Sequence, residues 1–302
     1  MKMSKYFKPA MIASAAIILL ALVLTLCGRG MNLGLDFIGG LSMQFDLGKS
    51  VTRDEVSRVL GGGEYAVTIQ GANKSEALVR TVLESGVNEV QELQADTLQK
   101  LQQVYPDAVE LSEVSYVGPV AGATLIKNAI TSVAIATALM LAYIAWRFDF
   151  HSGVAAVLAL IHDVAVMLAF MVILRDFIEL NSSFIAAALT IVGYSINDTI
   201  VIFDRIRENA KNKPELSKVE VVNLSVTESL GRTIMTSITT MVTILALYIL
   251  GVPAIKEFAL PIIVGVLAGT YSSNLISGYI WAWLEEKFPK KETSDEDDED
   301  EE

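Results

Sequence analysis

Cysteine is all but absent. Cys27 stands alone, so no disulfide closes within the chain and each domain must fold on its own packing. Such scarcity fits either side of a membrane and leaves the redox compartment open. Histidine is missing from residues 29–122, where the carboxylates are scattered along faces that read as exposed. No nucleophile–base pair, metal-ligand cluster or phosphate-binding loop occurs; the glycines at 61–63 lack the Lys-Ser/Thr that would complete such a loop. An enzyme, a metal site, an organic cofactor and a nucleic-acid partner are therefore not expected. Charge is scarcest in a set of long apolar runs, and those runs define the class.

The chain is 52% hydrophobic with a mean hydropathy of +0.47, too apolar for an ordinary soluble domain. Apolar runs at 10–26, 128–148, 153–174, 182–203, 233–252 and 258–280 each approach or exceed the roughly 17–25 residues of a spanning helix. The expected fold is an α-helical membrane protein with six transmembrane helices and one α/β extracytoplasmic domain between helices 1 and 2. Its divisions are residues 1–28 (N-terminus and first span), 29–122 (the α/β domain), 123–284 (spans two to six) and 285–302 (a tail).

Nine acids and no base in Glu292–Glu302 account for most of the net charge of −12. Such a tail reads as a solvated, disordered segment, or as a dock for basic partners. The basic start (Lys2, Lys5, Lys8) and the apolar stretch behind it resemble a signal peptide, but no small-residue cleavage site follows, and an uncleaved first helix is expected. Twelve Lys and Arg (2, 5, 8, 147, 205, 207, 211, 213, 218, 287, 290 and 291) fall on one side, against Arg175 and Lys256 in the opposite short loops. This bias places both termini in the cytoplasm of a bacterial-type plasma membrane. Trp146, Trp281 and Trp283 fall where interfacial aromatics would sit.

Within residues 29–122, Leu41–Leu47 alternates as a strand. Thr52-Arg53-Asp54-Glu55 is a capping box opening a helix with Val56, Val59 and Leu60 on its apolar face. Tyr65–Gln70 and Ala77–Val82 read as strands around a turn-rich connection at 71–75, with a helix as the alternative for the second. Asn88–Val104 has helical periodicity, and Val109–Val117 is a last strand. The order β-α-β-β-α-β suggests a ferredoxin-like sandwich that acts as an interaction module.

Polar groups inside the spans carry the functional expectation. Asp198 lies about 8 Å inside the charged border at Asp204-Arg205, too deep for a short side chain to reach water. A carboxyl there costs at least a few kcal/mol and usually holds an ion, a proton or a partner charge. Asn197 and Thr199 flank it. Arg232 is read at the start of the fifth span, heading a stripe of Thr236, Thr239, Thr240 and Thr243 at a similar depth. His162-Asp163 sits mid-way along the third span, with at most one of the two expected to face a given path. Two readings of Asp198 and Arg232 stay open: a static ion pair that fixes helix register, or an ion-binding carboxyl whose partner switches. His162-Asp163 is equally a plain interhelical hydrogen bond.

These residues also carry a resemblance. Gly34-Leu35-Asp36-Phe37-Ile38-Gly39-Gly40 looks like the Gly-x-Asp-Phe-x-Gly-Gly signature of the SecD/SecF family of protein-export subunits, on its SecF side. His162-Asp163-Val164, Val192–Thr199 running on to Asn209, and Ser229–Thr240 are similar to the signatures of its third, fourth and fifth spans. The resemblance covers residues 1 to about 285. It implies a partner subunit, SecD, and with it a twelve-span transporter of the resistance-nodulation-division type. It further implies association with the SecYEG channel, with YajC as a further candidate, and action on exported polypeptides using the ion-motive force. The coupling ion would be H+ or Na+. By motif, the family's functional Asp and Arg fall on Asp198 and Arg232. The rival expectations are a small-molecule exporter of the same superfamily and a passive scaffold in which that pair is only structural. Gly39-Gly40 reads either as a hinge or as a plain turn into the first strand.

Overall fold

Apolar runs become long helices and alternating segments become a small sheet. The computed structural model describes residues 3–62, 65–71, 73–82, 87–111, 115–175 and 178–288. In chain order these form α1 (Ser4–Leu26), α2 (Leu35–Ile38), β1 (Gly40–Asp46), α3 (Arg53–Val59), β2 (Tyr65–Gln70), β3 (Glu76–Thr81), α4 (Val87–Gln102), β4 (Val109–Glu110), β5 (Ser115–Val117), α5 (Pro119–Arg147), α6 (Phe150–Ile173), α7 (Ser182–Asn212), α8 (Lys218–Leu250) and α9 (Pro253–Ser272). A π-helical turn, Ser273–Ser277, joins α9 to α10 (Gly278–Lys287). Six stretches are long and apolar enough to cross a membrane, the last of them running from α9 through α10. The acidic tail lies outside the described residues.

The helices are not equivalent. About half of α6 and of α7 and most of the α9–α10 unit are buried within the chain, whereas α1, α5 and α8 leave most of their surface outside. Small residues let the inner helices approach. A Cβ on Gly265 of α9 would stand 2.4 Å from Cγ1 of Ile191 on α7, and one on Gly269 would meet the Ser195 Cβ at 3.1 Å. Trp281 packs in the core rather than at an interface; it is 5% exposed, against 84% for Trp146 and 52% for Trp283.

Two helices run past their apolar patterns. The sequence puts the ends of the fourth and fifth spans at 203 and 233; the helices continue to Asn212 and begin at Lys218. The cause is local. Ser217 and Glu220 form a capping box, with the Ser217 N–H donating to Glu220 Oε2 at 3.0 Å, so α8 starts there irrespective of hydropathy. Arg232 is consequently well inside α8, although it still heads the apolar run from 233.

The sheet follows the expected strands. Its antiparallel order is β2-β3-β1-β4, with β5 also on β1. Ala77–Val82 is a strand and not a helix. Val109–Val117 departs from one continuous strand. Phe45 faces Glu110, which would set Ser42 against position 113, yet Ser115 stands there. Two extra residues on that side break the ladder into β4 and β5. Leu41, Met43 and Phe45 pack with Val67, Val79, Val56 and Leu101 into one core, so α3 and α4 cover a single face. The Thr52 N–H donates to Glu55 Oε2 at 2.9 Å, as the capping box requires.

Gly265→Ala should force Ile191 aside in a filled core, an overpacking cost of about 1–3 kcal/mol. Thermal unfolding in detergent should fall by roughly 3–10 °C. Gly193→Ala, with nothing within 4 Å of the added carbon, should leave it unchanged; equal melting of both variants would contradict this packing.

Candidate functional site: a polar network in the helix bundle

Asp198 faces inward from α7 and is 2% exposed. Its Oδ1 lies 3.5 Å from the Thr236 hydroxyl on α8, at the limit of a hydrogen bond. That hydroxyl has one proton and lies closer to the Thr233 carbonyl (2.9 Å) and the Arg232 carbonyl (3.1 Å). Asp198 Oδ2 is buried with no hydrogen-bond partner among the described residues. A carboxylate in apolar surroundings with one marginal contact bears a burial cost that its neighbours do not offset.

Thr199 is buried beside it at 2% exposure. Asn197 is exposed on the outside of α7, because one residue turns the helix by about 100°. Arg232 is also exposed, and no hydrogen bond or salt bridge joins its side chain to Asp198 among the described residues. Thr239 and Thr243 lie outside with it, and Thr236 and Thr240 at the margin. The expected inward stripe is thus displaced by one position: Ser225, Ser229, Thr233 and Ser237 are the buried polar residues of α8.

His162 and Asp163 contribute to one network, contrary to the expectation that only one could. His162 Nδ1 lies 3.0 Å from Asp163 Oδ1, folding the ring back onto the neighbouring carboxylate. The Ser195 hydroxyl donates to Asp163 Oδ2. His162 Nε2 meets the Tyr271 hydroxyl at 3.2 Å, which meets Ser14 Oγ at 2.6 Å. This chain of contacts crosses α7, α6, α9 and α1. Asp163, at 0% exposure, has both oxygens partnered, unlike Asp198 one turn along α7 from Ser195.

A second group lies between α7, α8 and α9. The Tyr194 hydroxyl donates to Ser237 Oγ (3.1 Å), Ser237 Oγ meets Thr270 Oγ1 (2.7 Å), and Thr233 donates to Asn274 Oδ1 (3.2 Å). The π-helical turn buries Ser273, Asn274 and Ser277; such turns inside helices often mark functional positions. Sequence reading missed Ser14, Thr270, Tyr271 and Asn274. A signal existed for three of them: Thr270-Tyr271-Ser272-Ser273-Asn274 is a polar run inside an apolar span.

The glycine motif ties the α/β domain to α7. Asp36 Oδ2 accepts from the Ser182 N–H at 2.9 Å and from the Ser182 hydroxyl, so it satisfies a free donor at the start of α7. The Gly34 N–H donates to the Leu180 carbonyl at 2.8 Å, and Leu33 bridges Leu180. Phe37 is buried beside the start of α5, where a Cβ on Gly122 would lie 2.7 Å from the Phe37 carbonyl oxygen. Gly39 and Gly40 have φ of 76° and 137°, and a Cβ on Gly40 would sit 2.4 Å from the Thr81 carbonyl oxygen. Gly40 thereby lets β1 leave α2 directly beneath β3.

Six helices long and apolar enough to cross a membrane, with a small α/β domain fastened to them, define a multi-pass membrane protein. Residues 96–287 match the family model "Protein export membrane protein SecD/SecF, C-terminal", and residues 25–51 match "SecD/SecF GG Motif". The chain belongs to the SecD/SecF family of protein-export membrane proteins. It is 33% identical over 303 residues to the protein translocase subunit SecF of Desulfurispirillum indicum, covering 95% of each chain. It is 38% identical over 282 residues to that of Rhodothermus marinus, covering 89% of this chain and 88% of the relative. A crystal structure of SecDF from Thermus thermophilus, described as a translocon-associated membrane protein, superposes with a TM-score of 0.77 at 38% identity. The match spans 92% of this chain but only 38% of that longer one. The family supports a role in Sec-associated protein translocation.

Asp36→Ala should weaken the start of α7 by about 0.5–2 kcal/mol, a usual cost of losing a helix cap. Amide exchange at residues 182–185 should accelerate about 2- to 30-fold by that energy; unchanged protection would show that Asp36 does not hold this end.

Proposed function

We propose that this chain is the SecF-type half of an ion-driven export machine and that Asp198 is the group that takes up and releases the coupling ion. One observation carries the reading. Asp198 Oδ2 is the one carboxylate oxygen that is buried without a hydrogen-bond partner among the described residues. A proton or a Na+ on that carboxyl would remove the uncompensated charge. Arg232 lies one helical turn from Thr236, the residue that touches Asp198, so a modest shift of α8 against α7 would bring its long side chain to the carboxylate. The His162–Asp163 pair is fully satisfied and serves as the fixed frame against which that shift occurs.

The partner follows from the surface. Arg232 and Asn197 lie exposed on helices that read as membrane spans, where lipid offers no hydrogen bonds, whereas Thr239 and Thr243 donate to carbonyls of their own helix. The relative named SecDF carries about 38% of its length in the part that matches this chain. A SecD half would cover that polar face. The assembly would act with the SecYEG channel on exported polypeptides, in contact with lipid and with YajC as a further partner. Both termini lie in the cytoplasm in this proposal, following the charge bias of the short loops. Residues 29–122 are then extracytoplasmic, and their β2-β3-β1-β4 order with two helices on one face supports a ferredoxin-like sandwich.

Asp198→Asn should abolish the part of export that depends on an ion gradient, by tenfold or more, while copurification with SecD stays intact. Export into vesicles with the proton and sodium gradients collapsed separately identifies the ion. Full gradient-dependent export by Asp198→Asn would return the pair to a passive scaffold.

A further inference from the structure

Arg80 is a half-buried charge that the bundle site does not use. On β3, Ala77 and Val79 face the helix-covered core, so Leu78 and Arg80 face the other way. That second face lies over the domain-side ends of α7 and α9. Thr68, Leu78 and Arg80 line a polar cavity of about 200 Å³ together with Arg175, Glu179 and Glu257. Arg80 forms a salt bridge with Glu179, just before α7, and donates from Nη2 to the Thr68 hydroxyl at 2.9 Å. Its side chain is 13% exposed, and burial holds its guanidinium below the usual arginine range, an effect that the Glu257 carboxylate opposes. Glu257, in the first turns of α9, accepts from Asn181, the residue that caps α7.

We infer that Arg80, Glu179 and Glu257 form a charged clamp through which α7 and α9 carry the α/β domain with them when the bundle rearranges. The motion itself rests on the ion-coupling reading above. α7 holds Asp198 and Ser195 and α9 holds Thr270 and Tyr271, so the clamp lies at the ends of two helices that share the polar network. The glycine-motif tether reaches α7 through Ser182 and Leu180; the clamp adds α9 through Glu257, which lines the same cavity as Arg80 and accepts from Asn181. Its chemistry suits a device that opens and recloses. A buried arginine that loses its carboxylate must find another or take on water, which favours discrete positions over gradual drift.

The test uses the full chain assembled with its SecD-type partner in lipid nanodiscs. Spin labels at Asp54→Cys on α3 and Val252→Cys ahead of α9, both exposed positions, go into a Cys27→Ser background. Electron–electron distance measurements should give one narrow distribution. Arg80→Ala should at least double its width, and the swap Arg80→Glu with Glu179→Arg should narrow it again relative to either single reversal. An unchanged width in Arg80→Ala, or a swap as broad as its single reversals, overturns the clamp. In proteoliposomes, an imposed ion gradient should shift the mean distance in the intact protein and not in Arg80→Ala; an equal shift in both also overturns it. A gradient that shifts neither contradicts the ion-driven reading alone, and the width comparison still decides the clamp.

Discussion

A buried carboxylate with too few donors is the constraint around which this protein is arranged. Asp198 sits among tightly packed helices, and the hydroxyl nearest to it is better placed for two backbone carbonyls. The contrast with Asp163 is the informative one. Both acids are buried in the same bundle, one turn apart through Ser195, yet Asp163 has each oxygen answered. The fold thus separates a fully partnered carboxylate from a marginally partnered one.

The packing around the pair serves that separation. Gly265 and Gly269 bring α9 onto α7 closely enough to exclude other side chains, and the π-helical turn re-aims Asn274 toward Thr233. α8 leaves most of its surface outside the chain, as α1 and α5 do. α8 bears Thr236 and Arg232, while Gly265 and Gly269 fit α9 closely against α7. On the domain side, Asp36 caps α7, so the same helix links the carboxylate to the glycine motif.

Much of this was legible in the sequence. Hydropathy alone placed six spans, and the cost of burying an acid singled out Asp198. Strand alternation and a capping box placed the elements of the α/β domain except the short α2 and the break between β4 and β5. What escaped had physical causes. The start of α8 was placed too late because a polar cap at Ser217, not the apolar run, begins the helix. Asn197 was grouped with Asp198 by adjacency, although neighbours on a helix point apart. His162–Tyr271–Ser14 joins residues far apart in the chain, and no local pattern announces a contact between α6, α9 and α1. The Arg80 clamp escaped for the same reason, since its partners belong to different domains.

The charge on the Asp198 side chain is read most directly by vibrational spectroscopy. Infrared difference spectra of the assembled complex in lipid, recorded while the proton or sodium concentration is stepped, should contain a carboxyl band that responds to one of the two ions. That band should vanish in Asp198→Asn and persist in Asp163→Asn. A spectrum in which no ion-responsive carboxyl signal depends on Asp198 would contradict the account.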